Sequence, residues 1–257
     1  MNTPKHQHIL ITGAATGIGA AAARRFVDEG WYVTMVDIND TVGAALAAEL
    51  GPRAHYVHGD VCSAADMESA VAAAEAQHGP LTSVFANAGI HRHNTLLDIS
   101  EEEFDRIVRT NIYGTFHTLR AAVPAIIASG GGTVVITASD QSTVGKHRSF
   151  AYGLTKGALG QMTKSLSLDL LPQGVRVNAI CPGTIRTPMV DAIFERIAAN
   201  GDATVDELWK SEAAEYACGR VGEPAEVAAL VYFLASDASS FCSGGLYLID
   251  GGLSAGK

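Results

Sequence analysis

The sequence has few cysteines, and their spacing offers neither a disulfide framework nor a metal site. The four cysteines, Cys62, Cys181, Cys218 and Cys242, lie 119, 37 and 24 residues apart and form no CxxC pair. A chain of this length buries roughly 70–75% of its unfolded surface, so it needs neither disulfides nor metal to fold. We therefore expect reduced thiols, no bound metal and a cytoplasmic location.

The sequence also lacks a basic excess and a long apolar run. Its 27 acidic and 18 basic residues give a formal net charge of −9, which opposes binding to nucleic acid or to an anionic membrane surface. No apolar run approaches the ~18 residues of a membrane span. Hydrophobic residues make up 47% of the 257 residues. We therefore expect a folded, soluble protein whose partner is a small molecule, with no nucleic acid and no membrane.

Short β-branched runs alternate with longer alanine-rich segments along most of the chain. The predicted strands are His8–Thr12, Tyr32–Val36, Ala54–His58, Ser83–Ala86, Thr133–Thr137, Val175–Ala179 and Gly245–Ile249. Segments of helical composition are Gly19–Glu29, Val42–Leu50, Ala64–His78 and Tyr152–Leu171. Strands that alternate with helices pair in parallel through right-handed crossovers. The sequence predicts an α/β fold, a Rossmann-type doubly wound, mainly parallel seven-stranded sheet with helices on both faces.

No linker or change of composition divides the chain, so we predict one domain over residues 1–257. The stretch 187–219 has no strand pattern and is interrupted by Asn200-Gly201-Asp202. Because it is long for a loop, we expect it to carry short helices that cover a substrate site.

The first predicted strand leads directly into a glycine-rich turn and then into an alanine-rich helix. The turn reads Thr12-Gly-Ala-Ala-Thr-Gly-Ile-Gly19, which is the pattern GxxxGxG. Glycines permit a sharp turn and close approach of the backbone to a pyrophosphate, while the helix N-terminus offers free N–H groups to the anion. Glycines also simply end strands, so the position between strand and helix is what favours a dinucleotide site.

Asp37 follows the second predicted strand, 18 residues after Gly19. An acid near this spacing hydrogen-bonds the ribose 2′-hydroxyl of NAD and repels the 2′-phosphate of NADP. Ala15 and Thr16 supply no cation to neutralise that phosphate. NAD is therefore favoured as the cofactor. The alternative is that Asp37 only caps the next helix.

Tyr152 and Lys156 are four residues apart, which on a helix places both side chains on one face. Because a nearby ammonium group stabilises a phenolate, we expect the pKa of Tyr152 to fall from about 10 toward that of a general base. This spacing also occurs on ordinary exposed helices. Ser139, which follows the fifth predicted strand 13 residues earlier, favours a reactive site because open α/β sheets bind ligands at that edge.

These features and several others occur in a fixed order along nearly the whole chain. They are Thr12-Gly13-x-x-x-Gly17-x-Gly19, Asp60-Val61, Asn87-Ala88-Gly89, Asn111, Ser139, Tyr152-x-x-x-Lys156, Pro182-Gly183 and Asp250-Gly251-Gly252. In this combination the sequence resembles the short-chain dehydrogenase/reductase family, in its single-domain branch. The resemblance implies an enzyme acting on CH–OH donors with NAD or NADP, and usually a homotetramer.

The resemblance also implies a role for each matching residue. Tyr152 would be the acid/base, Ser139 would hold the substrate oxygen, and Lys156 would bind the nicotinamide ribose and lower the pKa of the tyrosine. Asn111 would hold a water that connects Lys156 to solvent. The implied cofactor-binding residues are Gly13, Thr16, Gly17, Ile18, Gly19, Asp37, Asp60, Val61, Asn87, Gly89, Tyr152, Lys156, Pro182, Gly183, Ile185 and Thr187.

We therefore interpret the chain as an NAD-dependent oxidoreductase that interconverts a secondary alcohol and its ketone. One alternative is an NADPH-preferring carbonyl reductase, and another is lyase, epimerase or dehalogenase chemistry on the same fold. A third is a non-catalytic NAD(H)-binding sensor, which would be expected to lack a reactive residue. Apolar Met162, Leu166 and Leu170 recur at helical spacing and could form a subunit interface or part of the core.

Polar residues between the candidate serine and tyrosine favour a small polar substrate, such as a polyol, sugar or hydroxy acid. They are Asp140, Gln141, Lys146, His147 and Arg148. Arg148 and Arg186 are candidates for gripping a carboxylate, because guanidinium binds it bidentately. His91 and His93 lack a third ligand at metal spacing, so we expect them in a polar loop near the site.

Overall fold

Seven parallel strands form the centre of the molecule. The computed structural model describes residues 6–201 and 203–256. The strands are β1 (His8–Thr12), β2 (Tyr32–Asp37), β3 (Ala54–His58), β4 (Ser83–Ala86), β5 (Gly132–Thr137), β6 (Val175–Pro182) and β7 (Leu246–Ile249). Their order in the sheet is β3-β2-β1-β4-β5-β6-β7. The predicted doubly wound α/β fold is confirmed.

Nine helices connect these strands within the described residues. They are α1 (Gly17–Asp28), α2 (Asp40–Leu50), α3 (Ala64–His78), α4 (Glu101–Val108), α5 (Gly114–Ala128), α6 (Phe150–Leu170), α7 (Pro188–Ala199), α8 (Val205–Ala214) and α9 (Pro224–Ala235). Side-chain oxygens begin several of them: Ser63 accepts from an N–H of α3, Ser100 from one of α4, and Thr204 forms a capping box with Glu207. Across residues 6–201 and 203–256, none of the helices combines the length and the apolar character of a membrane span.

The strand order reverses direction at β1, which places a crevice at the carboxyl ends of β1 and β4. Leu10 of β1 pairs with Thr34 on one side and with Val84 on the other. Helices after β1 and after β4 cover opposite faces of the sheet, so their connecting loops diverge there. The crevice is where a doubly wound sheet binds its ligand.

Two apolar layers cover the sheet, one on each face. Residues of α3, α5 and α6 pack on one face, and residues of α1 and α9 pack on the other. Met162 and Leu166 pack against the first layer and Leu170 is buried in it. The sequence allowed two interpretations of this apolar stripe on α6, a subunit interface or part of the core. In the structure the stripe packs within the chain.

The predicted boundaries differ most at β6. This strand continues to Pro182, because Ile180 and Cys181 pair with Tyr247 and Leu248 of β7. Beyond it, α7 and α8 occupy the segment in which the sequence predicted short helices. A small cluster that includes Phe194 and Trp209 joins these two helices.

We expect His8 to make the stability of the fold depend on pH. The His8 ring is fully buried in β1, and its nitrogens hydrogen-bond the Gly79 carbonyl at 3.1 Å and the Thr34 hydroxyl at 3.0 Å. Burial lowers the pKa of His8 from 6.5 to about 4. The unfolded chain therefore binds the extra proton first, and stability is lost as the pH falls from 6.5 to 4, by at most about 3 kcal/mol.

Denaturant unfolding of the wild type and of His8→Gln at several pH values between 7 and 4 measures this contribution. The variant should have a smaller dependence of its unfolding free energy on pH over this window, whatever its stability at pH 7. An identical pH dependence in both proteins would contradict the assignment.

Candidate active site

One cavity of about 570 Å³ lies at the carboxyl ends of the central strands. It brings together all of the predicted site residues except Gly19 and Asn111, which are not part of its lining. Those it contains are Gly13, Thr16, Gly17, Ile18, Asp37, Asp60, Val61, Asn87, Gly89, Ser139, Tyr152, Lys156, Pro182, Gly183, Ile185 and Thr187. The cavity is therefore the candidate active site.

The turn between β1 and α1 requires its glycines. Gly13 and Gly17 have φ values of +63° and +56°, which side chains other than glycine rarely adopt. A Cβ on Gly19 would lie 2.1 Å from the carbonyl oxygen of Gly13. The glycines thus form a cradle in which the backbone itself is the wall of the cavity.

The N-terminus of α1 opens into this cradle. Thr16 is its N-cap residue but makes no side-chain capping bond, and the first turn contains no acid. The first N–H groups of a helix have no partner within it, and with the helix dipole they favour an anion. The cradle and the helix end therefore fit the pyrophosphate of a dinucleotide.

Asp37 is tied to the glycine turn. Its carboxylate accepts hydrogen bonds from the backbone N–H of Ala15 at 2.9 Å and of Asn39 at 3.0 Å. Asn39 is the residue that caps α2, through the N–H of Val42. Helix capping is thus not the role of Asp37, whose carboxylate retains lone pairs on the cavity side.

Asn87 joins the end of β4 to the same turn. Its amide donates to the carbonyls of Thr12 at 3.0 Å and of Gly13 at 3.2 Å, and it accepts from the Thr137 hydroxyl at 3.1 Å. Both polar atoms of the Asn87 side chain are therefore hydrogen-bonded to other protein groups. The side chain stabilises the glycine turn as well as lining the cavity.

Tyr152 and Lys156 extend from the first two turns of α6. The Lys156 ammonium donates to the Thr137 carbonyl at 2.6 Å and lies 5.4 Å from the centroid of the Tyr152 ring. Lys156 is only 3% exposed. Burial lowers the pKa of this lysine from 10.5 to about 8, because the charged form is poorly solvated.

The pKa of Tyr152 shifts in the direction opposite to that predicted from the sequence. Burial raises it above its usual value, and the charge of Asp140 raises it further, while a hydrogen bond with Ser139 acts against both. The predicted net fall of the Tyr152 pKa is therefore wrong, because burial and the charge of Asp140 outweigh the groups that would lower it. The four-residue spacing showed that the two groups are neighbours, but not that the phenol is withdrawn from water.

Ser139 lies two residues after the end of β5. Its hydroxyl donates to the Asp140 carboxylate at 2.6 Å and accepts from the N–H of Gln141 at 3.2 Å. Ser139 and Asp140 are both buried, and burial raises the pKa of Asp140. The serine oxygen is thus held in one place beside the phenol by a fixed set of bonds.

Asn111 lies in a π-helical turn, Arg109–Tyr113, between α4 and α5. Its side chain donates to the Ile90 carbonyl and the Thr155 hydroxyl, each at 3.0 Å, and accepts from the N–H of Ile90 at 2.8 Å. These bonds connect it to α6 one residue before Lys156. No local pattern in the sequence indicates this widened turn, which is common at functional sites.

Several polar side chains near Tyr152 also line the cavity, among them His91 and Lys146. The His91 ring packs 4.2 Å from the Tyr152 ring, and burial lowers the pKa of His91 to about 4. Lys146 forms an ion pair of 2.6 Å with Glu212 of α8, and Glu212 also accepts from the Thr184 hydroxyl. An ion pair between the cavity lining and α8 therefore fixes this helix beside the cavity.

Arg148 and Arg186, the predicted carboxylate-binding arginines, do not line the cavity. Arg148 pairs with Asp98 at 3.0 Å, and Arg186 lies over the Trp209 ring at 4.2 Å. Two other arginines, Arg92 and Arg106, line the cavity instead. No local pattern in the sequence indicates Arg106, because α4 reaches the cavity only through the tertiary fold.

Comparison with known proteins agrees with this geometry. A family model described as enoyl-(acyl carrier protein) reductase matches residues 13–254. The chain is 38% identical over 247 residues to a 3-alpha-(or 20-beta)-hydroxysteroid dehydrogenase of Mycobacterium bovis, covering 96% of this chain and 89% of that one. It is 37% identical to a 2-keto-3-deoxy-L-fuconate dehydrogenase of Xanthomonas campestris, covering 95% and 79%.

A solved structure is similar over nearly its whole length. It is the 3-ketoacyl-(acyl-carrier-protein) reductase of Brucella melitensis complexed with NADH, with a TM-score of 0.87 and 29% identity. The match covers 96% of this chain and 98% of that one. The similarity therefore includes the sheet, the helices and the crevice between them.

Proposed function

The chain belongs to the short-chain dehydrogenase/reductase family and is an alcohol/ketone oxidoreductase that binds a nicotinamide cofactor, and we propose that this cofactor is NAD and the substrate a small polar secondary alcohol. The observation that carries the proposal is that Ser139, Tyr152 and Lys156 line the same cavity as the glycine cradle and Asp37. Proton transfer and dinucleotide binding would then occur in one space.

The described residues offer a place for each part of the dinucleotide. We assign the pyrophosphate to the N-terminus of α1, with Gly13, Thr16, Gly17, Ile18 and Gly19 around it, and the adenosine to the region of Asp37, Asp60 and Val61. The nicotinamide riboside would lie by Asn87, Gly89, Tyr152 and Lys156. Pro182, Gly183, Ile185 and Thr187 would close the opposite side. A Cβ on Gly17 would be 3.2 Å from Thr187, so the two walls already approach each other closely.

The nicotinamide ring, when bound, supplies the hydride acceptor or donor. The protein must then move one proton to or from the substrate oxygen. Ser139 donates or accepts a hydrogen bond at that oxygen, and Tyr152 exchanges the proton. With its raised pKa, Tyr152 holds its proton at neutral pH and is therefore poised as an acid toward a ketone.

In the alcohol-oxidising direction Tyr152 must first lose this proton. Lys156, whose pKa is lowered to about 8, is neutral above that value and could then take the proton transiently on its way to solvent. A water held by Asn111 would carry the proton from Lys156 to solvent. We therefore propose that oxidation is faster at higher pH and ketone reduction at lower pH.

Several other features support a small polar substrate. The cavity wall near Tyr152 contains His91, Asp140, Gln141 and Lys146, which suits hydroxyl or carboxylate groups better than an extended apolar chain. The Xanthomonas relative is named for a sugar acid. We propose that α7 and α8 cover this substrate, that the whole chain is one domain, and that four copies assemble as in the family.

A substrate screen tests the proposal. Purified protein with NAD is offered secondary alcohols, polyols, sugars and hydroxy acids, and with NADH the matching ketones, while absorbance of the reduced nicotinamide is followed. We expect turnover in both directions with at least one polar pair. Cofactor binding without turnover of any of these compounds would contradict the proposal.

Replacement of Asp37 by Ala should change the preference between the two cofactors. The carboxylate would accept a hydrogen bond from a ribose hydroxyl of NAD and would repel the 2′-phosphate of NADP. No Lys or Arg of the β1–α1 turn or of β2 lines the cavity to offset that repulsion. We expect the ratio of kcat/KM for NAD over NADP to fall about 100-fold, as expected for loss of one charged hydrogen bond and of one repulsion. Steady-state kinetics with both cofactors measures the ratio.

The matched control is Asp40→Ala, because Asp40 is an exposed acid three residues later whose carboxylate, in the part of the chain that the structure describes, accepts from Tyr56 and His58. It should leave the ratio near the wild-type value. An unchanged ratio in the Asp37 variant would rule out a role of this residue in cofactor choice.

A further inference from the structure

Two arginines from separate elements line the cavity, and a third lies near one of them. Arg92 lies in the segment after β4 and Arg106 on α4, and both line the cavity. Arg196 lies on α7, whose first turn contributes Met189 and Val190 to the same lining. Burial lowers the pKa of Arg92, and the positive charges of Arg106 and Arg196 lower it further. Arg92 is thus close enough to each of the other two for their positive charges to repel its own.

Short ion pairs compensate these charges only in part among the described residues. Arg92 meets Glu103 at 3.6 Å, whereas Arg106 and Arg196 form no ion pair within 4.0 Å in residues 6–201 and 203–256. In a chain of net charge −9, guanidinium groups that line the cavity favour an anion there. An anionic ligand would relieve the repulsion.

Arg92 is connected to the candidate acid/base Tyr152 through its neighbour His91. Arg92 follows His91, whose carbonyl accepts from the Arg92 guanidinium at 2.9 Å. The His91 ring in turn packs on Tyr152. Arg92 and Tyr152 therefore line one cavity and are connected through His91, so one small molecule can contact both.

We propose that Arg92 and Arg106 form an oxyanion-binding site and that the substrate is a short hydroxy acid or keto acid whose carboxylate, or an equivalent sulfonate or phosphate, binds there. This inference rests on the proposed function and specifies its substrate class. Guanidinium groups suit such an anion because each offers two parallel N–H donors. The arginines predicted from the sequence for this role, Arg148 and Arg186, instead contact Asp98 and Trp209.

Matched substrates test it most directly. Short 3-hydroxy acids are compared with their amides, which have the same shape but no charge, in the wild type and in Arg92→Gln and Arg106→Gln. We expect the wild type to favour the acids at least about 10-fold in kcat/KM, and each variant to lose 10–100-fold on the acids but less than threefold on the amides. Arg24→Gln, at a distant surface ion pair, should change neither value.

Equal losses of kcat/KM on acid and amide, or no preference for the acid in the wild type, would overturn the inference without contradicting the proposed oxidoreductase activity.

A second measurement does not depend on turnover. Malonate is titrated calorimetrically into the NADH-bound wild type and into the double variant of Arg92 and Arg106. We expect binding that weakens at least 10-fold in the variant, and absence of saturable malonate binding would also overturn the inference. Malonate binding without turnover of any alcohol would instead contradict the proposed function alone.

Discussion

Replacement of Tyr152 by Phe should lower kcat/KM by roughly 10³-fold in both directions, within the range for removal of a general acid–base group. The substitution removes one oxygen and keeps the ring that packs on His91 at 4.2 Å. The shape of the cavity and the start of α6 should therefore be preserved. What is lost is the proton exchanged with the substrate oxygen.

Cofactor affinity separates this loss from a structural one. Calorimetric titration with NADH should give a Kd within about threefold of the wild type, because the glycine cradle and Asp37 are unchanged. Tyr232→Phe, the same substitution on α9 and outside the cavity lining, should retain full activity. Turnover of the Tyr152 variant within 10-fold of the wild type would mean that another group transfers the proton.

The parts of the fold that local sequence determines could be predicted well. The strand β1, the glycine turn and α1 are defined by residues adjacent in the chain, since a Cβ on Gly19 would collide with the Gly13 carbonyl. The same holds for the five inner strands, whose apolar runs are buried on both faces, as is usual for parallel sheets. Their ends were less accurate, because β6 extends to Pro182 only through pairing with β7.

The electrostatics of the site could not be predicted, since they depend on burial and on distant neighbours. Spacing placed Lys156 next to Tyr152, but the lysine donates to the Thr137 carbonyl of β5, a contact that no local pattern indicates. Arg106 reaches the cavity from α4 only because of how that helix packs. For the same reason Arg148, which is close in sequence to Tyr152, pairs with Asp98.

Replacement of Lys156 by Met should lower kcat/KM for alcohol oxidation by about 10²–10³-fold and remove part of its pH dependence. Met has nearly the same length and fills the buried space, so the change removes mainly the charge and the proton site. In the wild type, Lys156 loses its proton as the pH rises through about 8. The rate of oxidation should therefore rise through that pH, since the neutral amine accepts the proton that Tyr152 must release.

The pH profile distinguishes this role from simple positioning of the cofactor. In the Met variant the inflection near pH 8 should be absent, whereas a residue that only held the ribose would raise KM for NAD and leave the inflection in place. Lys164→Met, the same substitution at an exposed position two turns later on α6, should retain both the rate and the profile. A pH 8 inflection that persists in the Lys156 variant would assign the titration to another group. Tyr152 is then a poor candidate for it, because its own pKa is raised by burial and by Asp140.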